Sequence, residues 1–384
     1  MKRPAFILAV WAVLWTSSLH IRPAAPSPAL VEPDPAADEA ANFLAGRPCR
    51  TPAWAGLQGT SEYKEYAAAL ESAWADLEAK RLLPMRAWAA AELAEVQGEA
   101  ETLFYPFGGP DLLTALVLFP DAGAYVLQGL EFVGKIPAFE GPAAAERVKT
   151  YTQSLLGSLS DFFQKSYFIT KNMNAALADD KVDGVLPLLA FFLKRTGYDI
   201  ASVRRLDLRE KGEVLESPYP GERTRFRRPY GVKVGFFAAG SPRLRTVSYF
   251  SADFVDSVFR TDSAFHLFLE ALPFEGAFVK SASYLMHFRE FANIRKLLLR
   301  KSRFILQDDT GIPFRYLAEK DWEVRLYGEY IKPVGDFSGV EQTDLKAAYA
   351  DPARVRPLPF HLGYHWGTSK DAILYFRRKT HERP

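Results

Sequence analysis

The chain has 384 residues, with 48 Lys plus Arg, 46 Asp plus Glu and a single cysteine. With 48% hydrophobic and 24% charged residues it has the composition of a globular protein, and a formal charge of +2 offers nucleic acid no bulk attraction. One cysteine excludes an intramolecular disulfide and any zinc site built on two thiolates.

Lys2 and Arg3 precede an uncharged, mostly apolar run from Ala5 to Leu19, and then comes IRPAAPSPA. A charged start, an apolar stretch and a small-residue segment follow one another in a secretory signal peptide. The run falls short of the roughly 20 apolar residues that a membrane span needs. Residues 1–29 are therefore read as a signal peptide cut after Ala29, and the protein as exported, periplasmic or extracellular. Retention as an N-terminal anchor is the alternative. Cleavage removes Lys2, Arg3 and Arg22 and no acid, which takes the formal charge from +2 to −1. No second apolar run of membrane length follows. Arg47 and Pro48 stand before Cys49 where a lipoprotein signal needs small residues, so lipid anchoring there is not expected.

Residues 30–60, acidic at first and interrupted by Gly and Pro, read as a linker. Tyr63, Tyr66, Leu70, Trp74 and Leu77 then recur on one helical face, with Ser61 as a cap, and Pro84 breaks or kinks the run. From residue 30 to 100 there are 12 acids and 6 bases. A strand is expected over Thr102–Phe107, a turn at Gly108-Gly109-Pro110, a helix Leu112–Phe119 capped by Asp111, and a buried strand Tyr125–Leu130. Val148, Tyr151, Leu155, Leu159 and Phe162 predict a helix from about Pro142 to Gln164, and apolar helical stretches run on to about Arg195.

Beyond residue 200 the period changes. Val232, Val234 and Phe236 alternate with Lys233 and Gly235 and, with LRTVSYF after Ala-Gly-Ser-Pro, predict a hairpin. Tyr284, Phe288, Phe291, Ile294 and Leu298 stripe a helix, followed by strands at Phe304–Leu306, Trp322–Leu326 and Ala372–Phe376. The fold class is α+β: a helical N-terminal region, then a mixed, largely antiparallel sheet with packed helices. The boundaries are a mainly helical region at 61–200 and an α+β region at 201–384, with one compact unit as the alternative. FYPFGGPD…YVLQGLEFVG and FILQDDTG…VRLYGEYIKPVG share an order of turn, acid and strand, a weak repeat signal.

Asp308-Asp309-Thr310-Gly311 is the sharpest local motif. Asp-Thr-Gly resembles the aspartic-protease loop, whose chemistry needs a second copy that this chain lacks; a strand-ending turn explains the same letters. A hydrolase would draw on Asp308 and Asp309, with His287 as a further catalytic candidate one helical turn after Ser283, near Lys280. Asp179–Gly184 fails as a calcium loop because Lys181 and Ala190 occupy ligand positions. His361 and His365 lie four apart, yet Pro357, Pro359, Gly363 and Gly367 argue against a helix that would align them on a metal, so no metal and no cofactor is expected. Arg227 and Arg228 suit a planar anion. Tyr364 and Trp366, beside His361 and His365, suit a ligand surface, and Asp111 joins these ligand-binding candidates. The 29 Phe, 17 Tyr and 7 Trp are mostly core material.

At FYPFGGPDLLTALVLFPDAGAYVLQGLEFVG and ILQDDTGIPFRYL the chain resembles exported bacterial proteins of unknown function. The resemblance implies export and carries over no activity, cofactor or residue role. The expected function is non-catalytic binding of a small molecule or an envelope component outside the cytoplasm, without nucleic acid. The alternative is an exported hydrolase using Asp308 and Asp309. If the alternative holds, those carboxylates must converge in a cleft with at least one raised pKa.

Overall fold

A computed structural model describes residues 31–99, 101–139, 144–168, 182–219, 229–365 and 370–379. The leader, Arg227, Arg228 and Trp366 lie outside the described residues, as do Asp179, Asp180 and Lys181 of the Asp179–Gly184 segment.

Residues read as linker are helical. Asp34 caps Pro35–Leu44 (α1) by accepting from the Ala36 and Ala37 amides, and Pro35 opens the first turn, where its missing N–H costs nothing. The acid and proline that suggested a linker are thus helix-start signals. Phe43 and Leu44 are fully buried. After Pro52–Gln58 (α2), Thr60 rather than Ser61 caps Ser61–Leu77 (α3), and the residues α3 buries are Tyr63, Tyr66, Leu70, Trp74 and Leu77. The hydroxyls of Tyr63 and Tyr66 donate to the carbonyls of Phe43 and Leu44, tying α3 to α1. Pro84 does not end the helix. A π turn at Glu78–Leu82 leads straight into Leu83–Glu92 (α4), with the proline in its first turn.

A short helix, Ala94–Gln97 (α5), precedes Thr102–Tyr105 (β1), Leu112–Leu118 (α6) and Ala124–Gly129 (β2). Ala144–Lys165 (α7) and Leu186–Arg195 (α8) follow, then Tyr198–Leu208 (β3), Val214–Pro218 (β4), Tyr230–Ala238 (β5) and Arg245–Ser251 (β6). The remainder is Ala264–Ala271 (α9), Gly276–Val279 (β7), Ala292–Lys301 (α10), Phe304–Asp308 (β8), Trp322–Gly328 (β9), Thr343–Tyr349 (α11), Val355–Arg356 (β10) and Ala372–Arg378 (β11). The stripe from Tyr284 to Leu298 is not one helix. Two 3₁₀ turns precede α10, and extended Phe288, exposed, separates them.

All the described strands join one sheet in the order β10-β9-β11-β8-β7-β1-β2-β6-β5-β3-β4. The fold is α+β with a mixed sheet. The expected β5–β6 hairpin forms, with Val234 opposite Val247. Antiparallel pairing, which the sequence led us to expect throughout most of the sheet, is confined to the flanks. The five central strands β8-β7-β1-β2-β6 are all parallel. Of these, β8, β7, β1 and β2 are buried on both faces, so they lack the alternation that marks a half-exposed strand. No repeat is visible in the topology: β1 and β2 are parallel neighbours, whereas β11 separates β8 from β9.

Side chains from the two faces enter two cores. Leu103, Tyr105 and Phe278 join the core built with α1, α3, α4, α6, α7 and α8. Phe104, Ala277 and Val279 join the core built with α9, α10 and α11. The chain therefore leaves β1 onto the first face, through α6, and leaves β7 onto the second, through α10. Neighbouring parallel strands that part in opposite directions make a topological switch point, and a crevice opens outside their carboxyl ends.

Candidate functional site

The parallel centre brings five strand ends to one edge: Phe107–Asp111 after β1, Leu130 and Glu131 after β2, Asp253 and Phe254 after β6, Lys280 and Ser281 after β7, and Asp308–Gly311 after β8. At the β1/β7 switch point lies a cavity of about 110 Å³. One water needs about 10–15 Å³ of such space, so a small molecule fits. Its described walls carry seven aromatic rings (Tyr105, Phe107, Tyr167, Phe168, Phe254, Phe291 and Tyr364) and the carboxylates of Asp111, Glu131 and Asp253, against one cation, Lys280.

Asp111 and Lys280 meet across the switch point. Lys280 Nζ lies 2.5 Å from Asp111 Oδ2, and both side chains are at most 3% exposed. Oδ2 also accepts from Tyr105 Oη at 2.9 Å. Oδ1 caps α6 by accepting from the Thr114 amide and hydroxyl. Lys280 donates a second hydrogen bond to the Ser166 carbonyl, 2.5 Å away, just past α7. Ser166 Oγ in turn accepts from the Gly363 amide at 2.6 Å.

Behind this pair stands the Asp308–Asp309 turn. Asp308 Oδ2 accepts from the Ser281 amide at 3.0 Å, while Oδ1 accepts from the Thr310 amide at 3.0 Å and the Thr310 hydroxyl at 2.5 Å. Burial, then the neighbouring Asp309 charge, pushes the Asp308 carboxyl up to about 7. Gly363 is required beside it: its φ is +79°, and a Cβ there would sit 2.6 Å from Asp308 Oδ2. Asp309 Oδ2 accepts from Tyr284 Oη at 2.8 Å and lies 3.3 Å from His365 Nε2. That hydrogen bond raises the His365 pKa, with burial opposing it. Burial likewise drives the Tyr284 phenol far up.

The structure thus brings together Asp111, Tyr364, Asp308, Asp309 and His365, the first two in the crevice wall and the others in the layer behind it. His361 stands aside, half exposed, with Nδ1 2.6 Å from Asp371 Oδ2. His287 packs against the Tyr284 ring rather than lining the crevice. Burial, then Arg315, holds its pKa down to about 4, and its Nε2 is buried with no partner. Ser283, the serine considered beside it, bonds Thr310 Oγ1 at 2.5 Å. Among the described residues no group of three or more His, Cys, Asp or Glu could hold a metal.

Lys280 and Ser281 matter more than their letters suggested. Ser281 follows the apolar GAFV of β7 with φ +65° and ψ −100°, and its Oγ is buried without a hydrogen-bond partner. An apolar strand ending in a charged residue and a serine is the one signal that pointed to them. Among the described residues no helix is long and apolar enough to cross a membrane. Comparison with family models, with curated proteins and with solved structures finds no match to this chain.

Proposed function

We propose that this is an exported protein that binds a small cationic molecule, an amine or ammonium compound, in the switch-point crevice. The observation that carries the reading is the wall composition: seven rings and three carboxylates face a single lysine, itself neutralised by Asp111. Aromatic faces attract cations through their quadrupoles, and the carboxylates of Glu131 and Asp253 add charge of the right sign. Strand carboxyl ends at a switch point are where open parallel sheets hold ligands. The test is a calorimetric titration with a panel of small amines, tetramethylammonium, polyols and carboxylates. Amines or ammonium ions should bind, and Glu131→Gln or Asp253→Asn should weaken them by about tenfold, the loss of one charged contact. Binding by carboxylates alone, or by nothing in the panel, would overturn the reading.

Export has its own test. N-terminal sequencing of the protein recovered outside the cytoplasm should begin at Leu30; recovery of chains starting at Met1 in the membrane fraction would instead establish an anchor.

A hydrolase is the second reading, favoured by one observation. Asp308 and Asp309 are buried side by side, Asp308 with a strongly raised pKa, rather than spread on a solvent-exposed turn.

A further inference from the structure

Two non-glycine residues in the cavity wall, Phe107 and Ser281, have a positive φ, and Ser281 is the one that carries a side-chain hydroxyl. A non-glycine residue at φ +65° and ψ −100° is strained, and such strain persists only where the surroundings impose it. Here β7 runs into Lys280-Ser281 and then directly into a 3₁₀ turn, Ala282–His287. A sharp strand-to-helix turn at the end of a central parallel strand is the device that aims a serine at a crevice in acyl-transfer enzymes. No G-x-S-x-G surrounds this serine, since Val279 and Ser283 occupy the glycine positions. The backbone conformation is present without that motif.

Three further observations bear on it. Ser281 Oγ has no hydrogen-bond partner, although Ser281 is 7% exposed and lines the cavity. A buried hydroxyl without a partner is unfavourable, and a ligand reached by rotation about χ1 would satisfy it. The carboxylate of Asp308 is held against the same residue through the Ser281 amide, with Oδ1 doubly engaged by Thr310 and Oδ2 by that amide alone. Lys280, the preceding residue, has two recorded acceptors, Asp111 and Ser166, for its three N–H bonds.

We infer that Ser281 is a nucleophile that hydrolyses a small carboxylic ester bound in the crevice, with Asp308 as the proton acceptor and Lys280 facing the developing oxyanion. Ser281 Oγ bonds to the ester carbonyl carbon as its proton passes to the Asp308 carboxylate. The tetrahedral species collapses, the C–O bond to the alcohol breaks, and the alcohol leaves with that proton. Water then attacks the acyl-serine, its proton passes to Asp308, and the carboxylic acid departs as Ser281 Oγ regains the proton. The inference rests on the crevice being the ligand site and adds to it the reaction performed there.

The test uses the full chain and a small alkyl fluorophosphonate, which transfers phosphorus to an activated serine with loss of fluoride. Intact mass should show a single adduct, and peptide mapping should place it on Ser281. Ser281→Ala should abolish it. Ser281→Gly, which accepts a positive φ without strain, keeps the test valid if the alanine variant fails to fold. Asp308→Asn should slow labelling about a hundredfold, the usual contribution of a general base. Ester turnover should follow the same pattern. No adduct in a protein that still binds amines would overturn the nucleophile and leave the binding site standing. An adduct at Ser281 without amine binding would support the nucleophile and overturn the cation reading. An adduct that persists in Ser281→Gly would overturn the assignment of Ser281.

Discussion

Asp111→Ala is expected to lower the unfolding free energy by about 3–5 kcal/mol, more than a surface ion pair could account for. Lys280 Nζ and Asp111 Oδ2 are 2.5 Å apart, and both side chains are almost fully buried. Deleting the acid leaves an ammonium in a low-dielectric site with the Ser166 carbonyl as hydrogen-bond acceptor and the Phe162 ring 5.9 Å away. The same change removes the α6 cap, worth about 1 kcal/mol, and the acceptor of Tyr105 Oη. Three losses fall on one carboxylate. Asp111→Asn separates them, because an amide oxygen can still cap α6 but cannot neutralise Lys280. The double variant Asp111→Ala/Lys280→Met removes both charges together and should recover much of the loss, since the dominant cost is an unpaired buried charge. Urea titrations of the single and double variants decide the matter. A loss under about 1 kcal/mol for Asp111→Ala would mean that water reaches the pair.

How much of this was legible in the sequence follows from what each signal measures. Helical periodicity reports one buried face, and α3 has one: Tyr63, Tyr66, Leu70, Trp74 and Leu77 could be named before the fold was known. Asp111 announced the start of α6 for the same local reason, a carboxylate placed to accept from an amide three residues on. Strand alternation likewise reports one buried face, which found β5 and β9. It is silent about β7, whose four residues GAFV are all buried and serve two cores at once. That strand decides the architecture, because it brings Lys280 against Asp111 from 169 residues away. Asp308, Asp309, His365 and Tyr364 were thus recognisable as residues with chemical potential. Their assembly was not, because the register of parallel strands is set by long-range packing that leaves no short-range pattern. The Tyr284–Leu298 stripe failed in the opposite way. Its spacing fits a helix, yet extended Phe288 turns out to solvent and splits the stripe.

The pH dependence of stability should carry the mark of Asp308. Burial and the adjacent Asp309 move its carboxyl from an ordinary 3.8 to about 7 in the folded chain, so the folded state holds this proton more tightly than the unfolded one. Its contribution is therefore complete below about pH 4 and is lost as pH rises through about 7. Three neighbours titrate around it. Asp371 and His365 are also raised, and their contributions fall with rising pH in the same sense. His287, lowered to about 4, acts oppositely, and its contribution grows only up to its ordinary 6.5. Acids held low by partners, such as Glu71, Glu95 and Glu270, change stability only below their ordinary 4.5. Between pH 6.5 and 8 the slope thus belongs mainly to Asp308 and His365. Asp308 alone should cost the wild type about 1 kcal/mol per pH unit near pH 6.5, a slope that fades toward zero by pH 8, and His365 adds to it in the same sense. Asp308→Asn cannot ionise, so its slope should flatten toward what His365 alone supplies. At pH 6.5 the variant should be less stable by about 1–2 kcal/mol if its amide nitrogen faces the Ser281 N–H that Oδ2 now accepts, and the deficit should narrow by somewhat under about 1 kcal/mol by pH 8. Denaturant titrations of both proteins at half-unit steps give the two slopes directly. Parallel slopes would show that Asp308 does not titrate in this window, and with that the case for it as a proton acceptor near neutral pH would fall.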